Sequence, residues 1–183
     1  MFSNLSEEKK EEKFNGLIYF ASKINNKSLK NACLNILNDY KEELFCKAAG
    51  HDGIEMKKYT KTHQCFDGGL LDHIYNVTKI AYDVGHNYEK QVDLDLILFG
   101  AILHDIGKTK ISDNWNEKSE IKSNLNYSYL LVDHVYIGEK IVEDYLDKEN
   151  ISEKFKYQAL HMIATHMDTM NKHMAEAYIV SYA

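Results

Sequence analysis

Apolar side chains recur at intervals of three or four residues along most of this chain. Spacing of this kind is typical of helices that bury one face and expose the other. The sequence lacks the alternation of apolar and polar residues that marks a half-buried strand. It therefore predicts an all-α, single-domain helical bundle, with helices over 17–24, 29–44, 70–84, 130–145, 155–170 and 174–183.

Residues 94–106 stand apart because they are almost wholly apolar. Periodicity alone does not separate a buried strand from a buried helix in such a run. The length of the run favours a helix, which we expect at the centre of the bundle. Gly107 is its predicted end, because glycine commonly terminates helices. The chain also contains no proline, which agrees with a helical fold.

Charged and polar segments indicate how the chain is divided. The predicted parts are a charged lead-in over 1–13 and one domain over 14–183, which comprises N-terminal helices over 14–48, a loop over 51–67 and a core over 68–183. A second long loop is predicted over 112–127, around the only tryptophan, Trp115.

Net charge and cysteine content narrow the function classes. The formal charge of −6 argues against binding to long nucleic acid, which usually needs a basic surface. A nucleotide or a short oligonucleotide stays compatible, because bound metal ions supply positive charge locally. The one compact basic segment, 57–61, is interpreted as a solvated surface. Three cysteines without CxxC spacing, and no bilayer-spanning run or secretory leader, predict a reduced cytoplasmic protein outside membranes.

Several histidines point toward the predicted core. On helical geometry His73 lies within about 40° of Val77, inside the apolar stripe of its helix. His134 and His166 are centred in their own stripes, and His104-Asp105 closes the most apolar helix. A single such histidine is more often a hydrogen-bonded core residue than a ligand. A convergent set with an aspartate instead indicates a metal site, since imidazole and carboxylate are ligands that Zn, Mn and Fe accept.

One further histidine is excluded from this set. His161 lies about 140° from His166 around the same predicted helix, so it should not reach the same metal ion. We expect it on the surface or in a supporting position.

Four sequence elements, in order, resemble a known family. The segment 103–108, Leu-His-Asp-Ile-Gly-Lys, is similar to the signature of HD-domain phosphohydrolases. The segment 63–73, His-Gln-Cys-Phe-Asp-Gly-Gly-Leu-Leu-Asp-His, resembles the HD domain of the 3′–5′ exoribonuclease type. The segments 130–134 and 162–166 resemble the family's later Leu-Leu-Gly-His and Ser-His-His elements, with Val132-Asp133 varied in the first.

The resemblance implies an activity and a set of site residues. The implied metal ligands are His73, His104, Asp105, His134 and His166. Asp105 would bridge two ions and act in catalysis, with Lys108 on the substrate phosphate and His63 lining the pocket, both as catalytic and substrate-binding residues. The cofactor would be one or two divalent ions, with Mn²⁺ as the first expectation and Fe²⁺, Zn²⁺, Ni²⁺ or Mg²⁺ as alternatives.

The sequence also departs from the family pattern. Met167 replaces the second His of the Ser-His-His element. The family closes its site with an Asp after a Glu-Ala pair; here Glu176-Ala177 is present, but the Asp would fall one position beyond Ala183. That ligand is therefore either lacking or outside the sequence given. An added oligonucleotide-binding domain, found in the exoribonucleases, has no room in 183 residues.

Two functions follow from these observations. The first is a metal-dependent phosphohydrolase or phosphodiesterase that acts on a nucleotide or a short oligonucleotide. The second is a non-catalytic module that uses the same scaffold and a structural metal to bind a nucleotide or a protein. Met167 and the missing Asp favour the second, and neither the substrate nor the oligomeric state follows from the sequence.

Overall fold

A computed structural model describes residues 4–49, 64, 66–110, 133–167 and 171–183 of the chain. Across these residues the protein has eight α-helices, one short 3-10 helix and no strand. The all-α prediction is thus confirmed. The helices are α1 (Glu7–Ser22), α2 (Lys27–Asp39), α3 (Lys41–Cys46), α4 (Gly69–Asn87), α5 (Leu94–Leu103), the 3-10 helix η1 (Ile106–Lys110), α6 (His134–Leu146), α7 (Glu153–Ala164) and α8 (Ala175–Tyr182).

Short polar side chains fix where most of these helices begin. Ser6, Asn26, Asp93, Asp133 and Ser152 each accept a hydrogen bond from a backbone N–H in the first turn of the following helix. Such caps satisfy donors that would otherwise lack a partner at a helix start. The helix that carries His73 begins differently, after Gly68 in the left-handed region at φ 80°. Glycine adopts this conformation without steric cost.

The first ten residues of the apolar segment 94–106 form the central helix of the bundle, α5. All residues of α5 from 96 to 103 are buried, and the helix packs against α1, α2, α4, α7 and α8. Because α5 is surrounded, it has no polar face, which is why its sequence has no amphipathic period. Its C-terminal end delivers His104 and Asp105 to the interior, where both are at most 4% exposed.

Helix α1 begins inside the segment expected to be a charged lead-in. Residues 7–13 form its first turns, and Lys10 is only 4% exposed. The Lys10 ammonium lies 2.8 Å from Glu7 and 3.0 Å from Asp67, just before α4. The charges that suggested a solvated lead-in therefore include an ion pair that joins the first helix to the start of α4.

Two helix ends differ from the sequence prediction. The predicted helix 29–44 is divided at Tyr40, whose backbone leaves the helical region at φ −110° and ψ 14°. Helix α7 ends at Ala164 and does not continue to 170, and the Thr165 hydroxyl donates to the carbonyl of His161 at 2.8 Å. The backbone N–H of Thr165 is bonded to the same carbonyl at 3.2 Å, and the Thr165 backbone, at φ −111° and ψ 3°, leaves the helical region.

Gly107 is not the end of α5, which stops four residues earlier. It lies within η1, against the first turn of α6. A Cβ atom at Gly107 would come within 1.9 Å of the His134 carbonyl oxygen and 2.6 Å of the Gly138 nitrogen. The residue is therefore glycine because two backbones meet there.

The predicted loops 51–67 and 112–127 lie wholly or largely outside the described residues, as do His63, Trp115, the basic segment 57–61 and residues 130–131 and 170 of the predicted helix stripes. Over the part of the chain that the structure describes, no helix combines the length and the apolar character needed to cross a bilayer.

Candidate metal centre

The five predicted ligand residues come from four separate parts of the bundle. His73 is the fifth residue of α4, and His104 directly follows the last residue of α5. Asp105 comes next in the chain. His134 is the first residue of α6, and His166 follows α7 by two residues. Four of the five thus lie at a helix end. The sequence pattern had instead placed two of these, His134 and His166, within helical stripes.

The structure brings all five side chains together around the Asp105 carboxylate. Oδ2 of Asp105 lies 3.2 Å from Nε2 of His73 and 3.5 Å from Nε2 of His104. These two histidines and Oδ2 are called half-site 1; their Nε2 atoms are 3.1 Å apart. Oδ1 of Asp105 lies 3.3 Å from Nε2 of His134 and 3.4 Å from Nε2 of His166. These two histidines and Oδ1 are called half-site 2.

Burial and the neighbouring imidazoles set the protonation of the two central residues, His104 and Asp105. Burial lowers the pKa of His104 to about 3, so its imidazole is neutral at ordinary pH. Burial alone would raise the pKa of Asp105, but the surrounding imidazoles, His104 foremost, hold it well below its usual value. A neutral imidazole beside an ionised carboxylate is the protonation state that divalent cations require of their ligands.

Backbone carbonyls hold two of the rings in the orientation needed for metal binding. Nδ1 of His104 donates to the carbonyl of Ala101 at 2.9 Å, and Nδ1 of His166 donates to that of Ile163 at 2.7 Å. With the proton on Nδ1, the lone pair lies on Nε2, which faces Asp105 in both residues. Metal-binding histidines are usually fixed in this way by a partner on the second ring nitrogen.

Unsatisfied polar atoms mark half-site 2 most clearly. Oδ1 of Asp105, Nε2 of His134 and Nε2 of His166 are buried, and none makes a hydrogen bond within the described part of the chain. Leaving three such atoms unpaired is costly, and a bound cation would satisfy them together. The ligand atoms of each half-site all lie within 4.8 Å of one another, so either half-site could hold a metal ion. The cluster fits a divalent metal by geometry and by ligand type.

Lys108 lies beside this cluster. Its Nζ lies 2.6 Å from Oδ2 of Asp105 and its side chain is 19% exposed. η1 turns the chain back after Asp105, which puts the residue three positions later on the same side. The ammonium group thus pairs with the oxygen that Asp105 contributes to half-site 1.

His161 belongs to neither half-site. Its Nε2 accepts the backbone N–H of His173 at 3.2 Å, and the two rings stack at a centroid distance of 5.8 Å. This agrees with the prediction that it is not a ligand, although the reason differs, since α7 ends before His166. Met167 is 66% exposed, and His63 lies outside the described residues.

Asp133 contacts the site, and the sequence did not predict this contact. It was noted only as a departure from the family's Leu-Leu-Gly-His element. In the structure its Oδ1 lies 2.6 Å from Nδ1 of His134. The available signal was a carboxylate directly before a ligand histidine.

The chain is similar in sequence to two known proteins. The dihydroneopterin 2′,3′-cyclic phosphate phosphodiesterase of Methanocaldococcus jannaschii is 28% identical over 182 residues, which cover 91% of this chain and 66% of that protein. The 3′-5′ exoribonuclease YhaM of Bacillus licheniformis is 38% identical over 64 residues, which cover 35% of this chain and 20% of that protein. The chain thus spans just under two thirds of the first relative and a fifth of the second. No solved structure shows a significant match.

The family model of the HD domain matches residues 70–183, which include all five residues of the two half-sites. The match takes in α4 to α8 and leaves the first three helices outside it. On this match the chain belongs to the HD domain family.

Proposed function

We propose that this protein is a metal-dependent phosphodiesterase that hydrolyses a small nucleotide or a short oligonucleotide. The proposed ligands are His73, His104 and Asp105 for one ion, and Asp105, His134 and His166 for a second. The observation that carries the proposal is that the two oxygens of the buried Asp105 carboxylate face two separate pairs of imidazoles. A carboxylate so placed can bridge two cations.

The chemistry divides between the ions and the protein. Divalent ions held by these five residues would supply Lewis acidity toward the phosphoryl group and toward a water molecule. Lys108 binds a non-bridging phosphoryl oxygen and offsets the negative charge that develops there. The bundle core beneath the site, formed by α5, keeps the His104 imidazole neutral and in place.

The role of His63 in this proposal rests on resemblance alone. It would line the pocket and protonate the leaving oxygen, or it would only hydrogen-bond within its loop. A His63→Ala variant separates these roles, since only the first predicts lower turnover with unchanged metal content.

The relatives and the charge both favour small substrates. The archaeal relative is named for a cyclic phosphate, and a cyclic phosphodiester places one anionic phosphorus near the metals with little else to accommodate. The net charge of −6 opposes the approach of long polyanions. We therefore propose nucleoside 2′,3′-cyclic phosphates and short oligonucleotides as the first substrates to test. We also propose a cytoplasmic location, which rests on the amino-acid sequence alone.

Mn²⁺ is the proposed metal, with Fe²⁺ as the nearest alternative. Half-sites of two imidazoles and a carboxylate oxygen combine nitrogen ligands, which suit Fe and Zn, with an oxygen ligand, which suits Mn.

The test is a turnover screen on metal-stripped protein reloaded with one metal at a time. Nucleoside 2′,3′-cyclic phosphates, short oligonucleotides and a chromogenic phosphodiester are the substrates, and bound metal is measured by elemental analysis of the same samples. We expect metal-dependent release of phosphomonoester from at least one of them. Stoichiometric metal without any turnover would instead support the binding module, the function that Met167 favours.

A further inference from the structure

Among the described residues, a partner of Nδ1 is seen for three histidines of the site, and one of these partners is of a different kind. His104 and His166 each donate to a backbone carbonyl three residues earlier in the chain. His134 is the first residue of α6 and follows Asp133, whose backbone is extended. Its Nδ1 lies instead 2.6 Å from the carboxylate of Asp133.

The two kinds of partner have different effects on the ring. A carbonyl and a carboxylate both fix the tautomer with its lone pair on Nε2. The carboxylate also carries a full negative charge, which raises the electron density of the imidazole and makes Nε2 a stronger donor to a cation. The side chain of Asp133 is 67% exposed, whereas that of His134 is 14% exposed. The His134 ring therefore lies between a solvent-exposed carboxylate and the buried metal site.

The same carboxylate oxygen has a second contact. Oδ1 of Asp133 accepts the backbone N–H of Val135 at 3.3 Å and so caps α6. The cap alone explains an aspartate at this position, and a serine would cap equally well. A serine has no carboxylate to offer Nδ1. The two roles can therefore be separated by substitution.

We propose that Asp133 is a positioning residue of half-site 2, which holds His134 through Nδ1 and strengthens its Nε2 as a ligand for a divalent cation. The inference rests on the proposed metal centre. Half-site 2 then contains an imidazole supported by a carboxylate, and its affinity depends on a residue outside the ligand set.

The experiment measures Co²⁺ affinity at each half-site in metal-stripped full-length protein. Titration is followed by the visible absorption of bound Co²⁺ and by competition with a chelator, for wild type and for Asp133→Ser, Asp133→Asn and Asp133→Ala. Asp133→Ser should keep the helix cap and the thermal midpoint, yet bind the Co²⁺ of half-site 2 roughly 10- to 100-fold more weakly. Asp133→Asn keeps an acceptor oxygen without the charge, so its loss should be smaller.

Asp93 provides a matched control. It caps α5 in the same way, through bonds to Asp95 and Leu96, at the end of that helix far from His104. Asp93→Ser should leave both Co²⁺ affinities unchanged. His166→Ala assigns the affected affinity, because it removes a ligand from half-site 2 alone.

The possible outcomes distinguish a failure of this inference from a failure of the proposed metal centre. If Asp133→Ser binds two Co²⁺ ions as tightly as wild type, Asp133 is only a helix cap and the inference is wrong. If the weakened ion is the one that survives in His166→Ala, Asp133 does not act on half-site 2. If wild type binds no Co²⁺ at all, the metal centre itself fails and this inference with it.

Discussion

The two half-sites share one carboxylate but are built from different parts of the fold. Half-site 1 takes His73 from the first turns of α4 and His104 from the end of α5, two helices in direct contact. Half-site 2 takes His134 from the start of α6 and His166 from the chain beyond α7. Lys108 contacts the oxygen of half-site 1, and Asp133 contacts a ring of half-site 2. The positive charge and the supporting negative charge are thus divided between them, and the two proposed roles follow this division: phosphate binding beside the first half-site and support of a cation ligand at the second.

The largest expected effect follows from removing the Asp105 carboxylate, which both half-sites share. Asp105→Ala should abolish binding of both ions and all turnover, because each half-site loses its only negatively charged ligand. Elemental analysis and the phosphodiester assay measure both losses. Asp144→Ala, which removes an exposed carboxylate of α6, is the control and should behave as wild type. Retention of one full equivalent of metal by Asp105→Ala would show that Asp105 does not bridge.

The next effect separates the half-sites from each other. His73→Ala and His166→Ala should each lower bound metal from two equivalents to one, since each removes a ligand from one half-site and leaves three at the other. Elemental analysis after dialysis against excess Mn²⁺ measures this. Loss of both ions in either variant would mean that the half-sites load as one unit.

A smaller effect is expected at Lys108, and on rate alone. Lys108→Ala should keep the metal content and lower turnover about 100- to 1,000-fold, because the side chain acts on developing phosphoryl charge and cannot bind a cation. Lys110→Ala is the matched control: it lies two residues further along η1, over the ring of Tyr40, and should leave turnover unchanged. Equal turnover of wild type and Lys108→Ala would exclude the assigned role.

The smallest expected effect is on the pH dependence of stability without metal. The His104 pKa is lowered to about 3 by burial, while a histidine in an unfolded chain has a pKa of about 6.5. The unfolded chain therefore takes up a proton between these values that the folded chain does not. The free energy of unfolding should fall from pH 6.5 toward 3, by at most about 1.4 kcal/mol per pH unit from this group.

Asp105 acts in the same direction at the acid end. Its pKa is lowered in the folded protein, so its contribution is present above the unfolded value and is lost as pH falls below it. Urea denaturation of metal-stripped protein at pH 7 and pH 5 checks the change that comes from His104. His86→Gln, at an exposed histidine, should keep the same dependence on pH.

The sequence predicted the helices well where a helix has two distinct faces. The apolar positions of α4 placed His73 toward the interior, and the structure finds it there. α5 has no second face, so its type followed from length alone. Its end was placed too late, because Ile106 is as buried as the helix itself and gives no signal that the chain turns.

The residues at helix ends were correctly expected to lie together, but for a partly mistaken reason. His166 was assigned to a helical stripe, whereas the backbone leaves the helix at Thr165, one residue before it. A helix end of this kind, with no glycine to mark it, is not visible in an apolar pattern. The Asp133 contact was missed because it depends on His134 being the first residue of α6, and helix starts are poorly defined by periodicity.

The contact of η1 with α6 has a consequence for how this site can change over time. Gly107 and Gly138 let two backbones touch, and a Cβ at Gly107 would meet the carbonyl of His134 at 1.9 Å. Backbone atoms, which no substitution removes, thus set the separation between His104-Asp105 and His134. Mutations can exchange ligands, remove Lys108 or alter Asp133 one residue at a time, each with its own graded effect. The spacing has no such intermediates, since any side chain at Gly107 would push the backbone of His134 away from Asp105 and so disturb half-site 2.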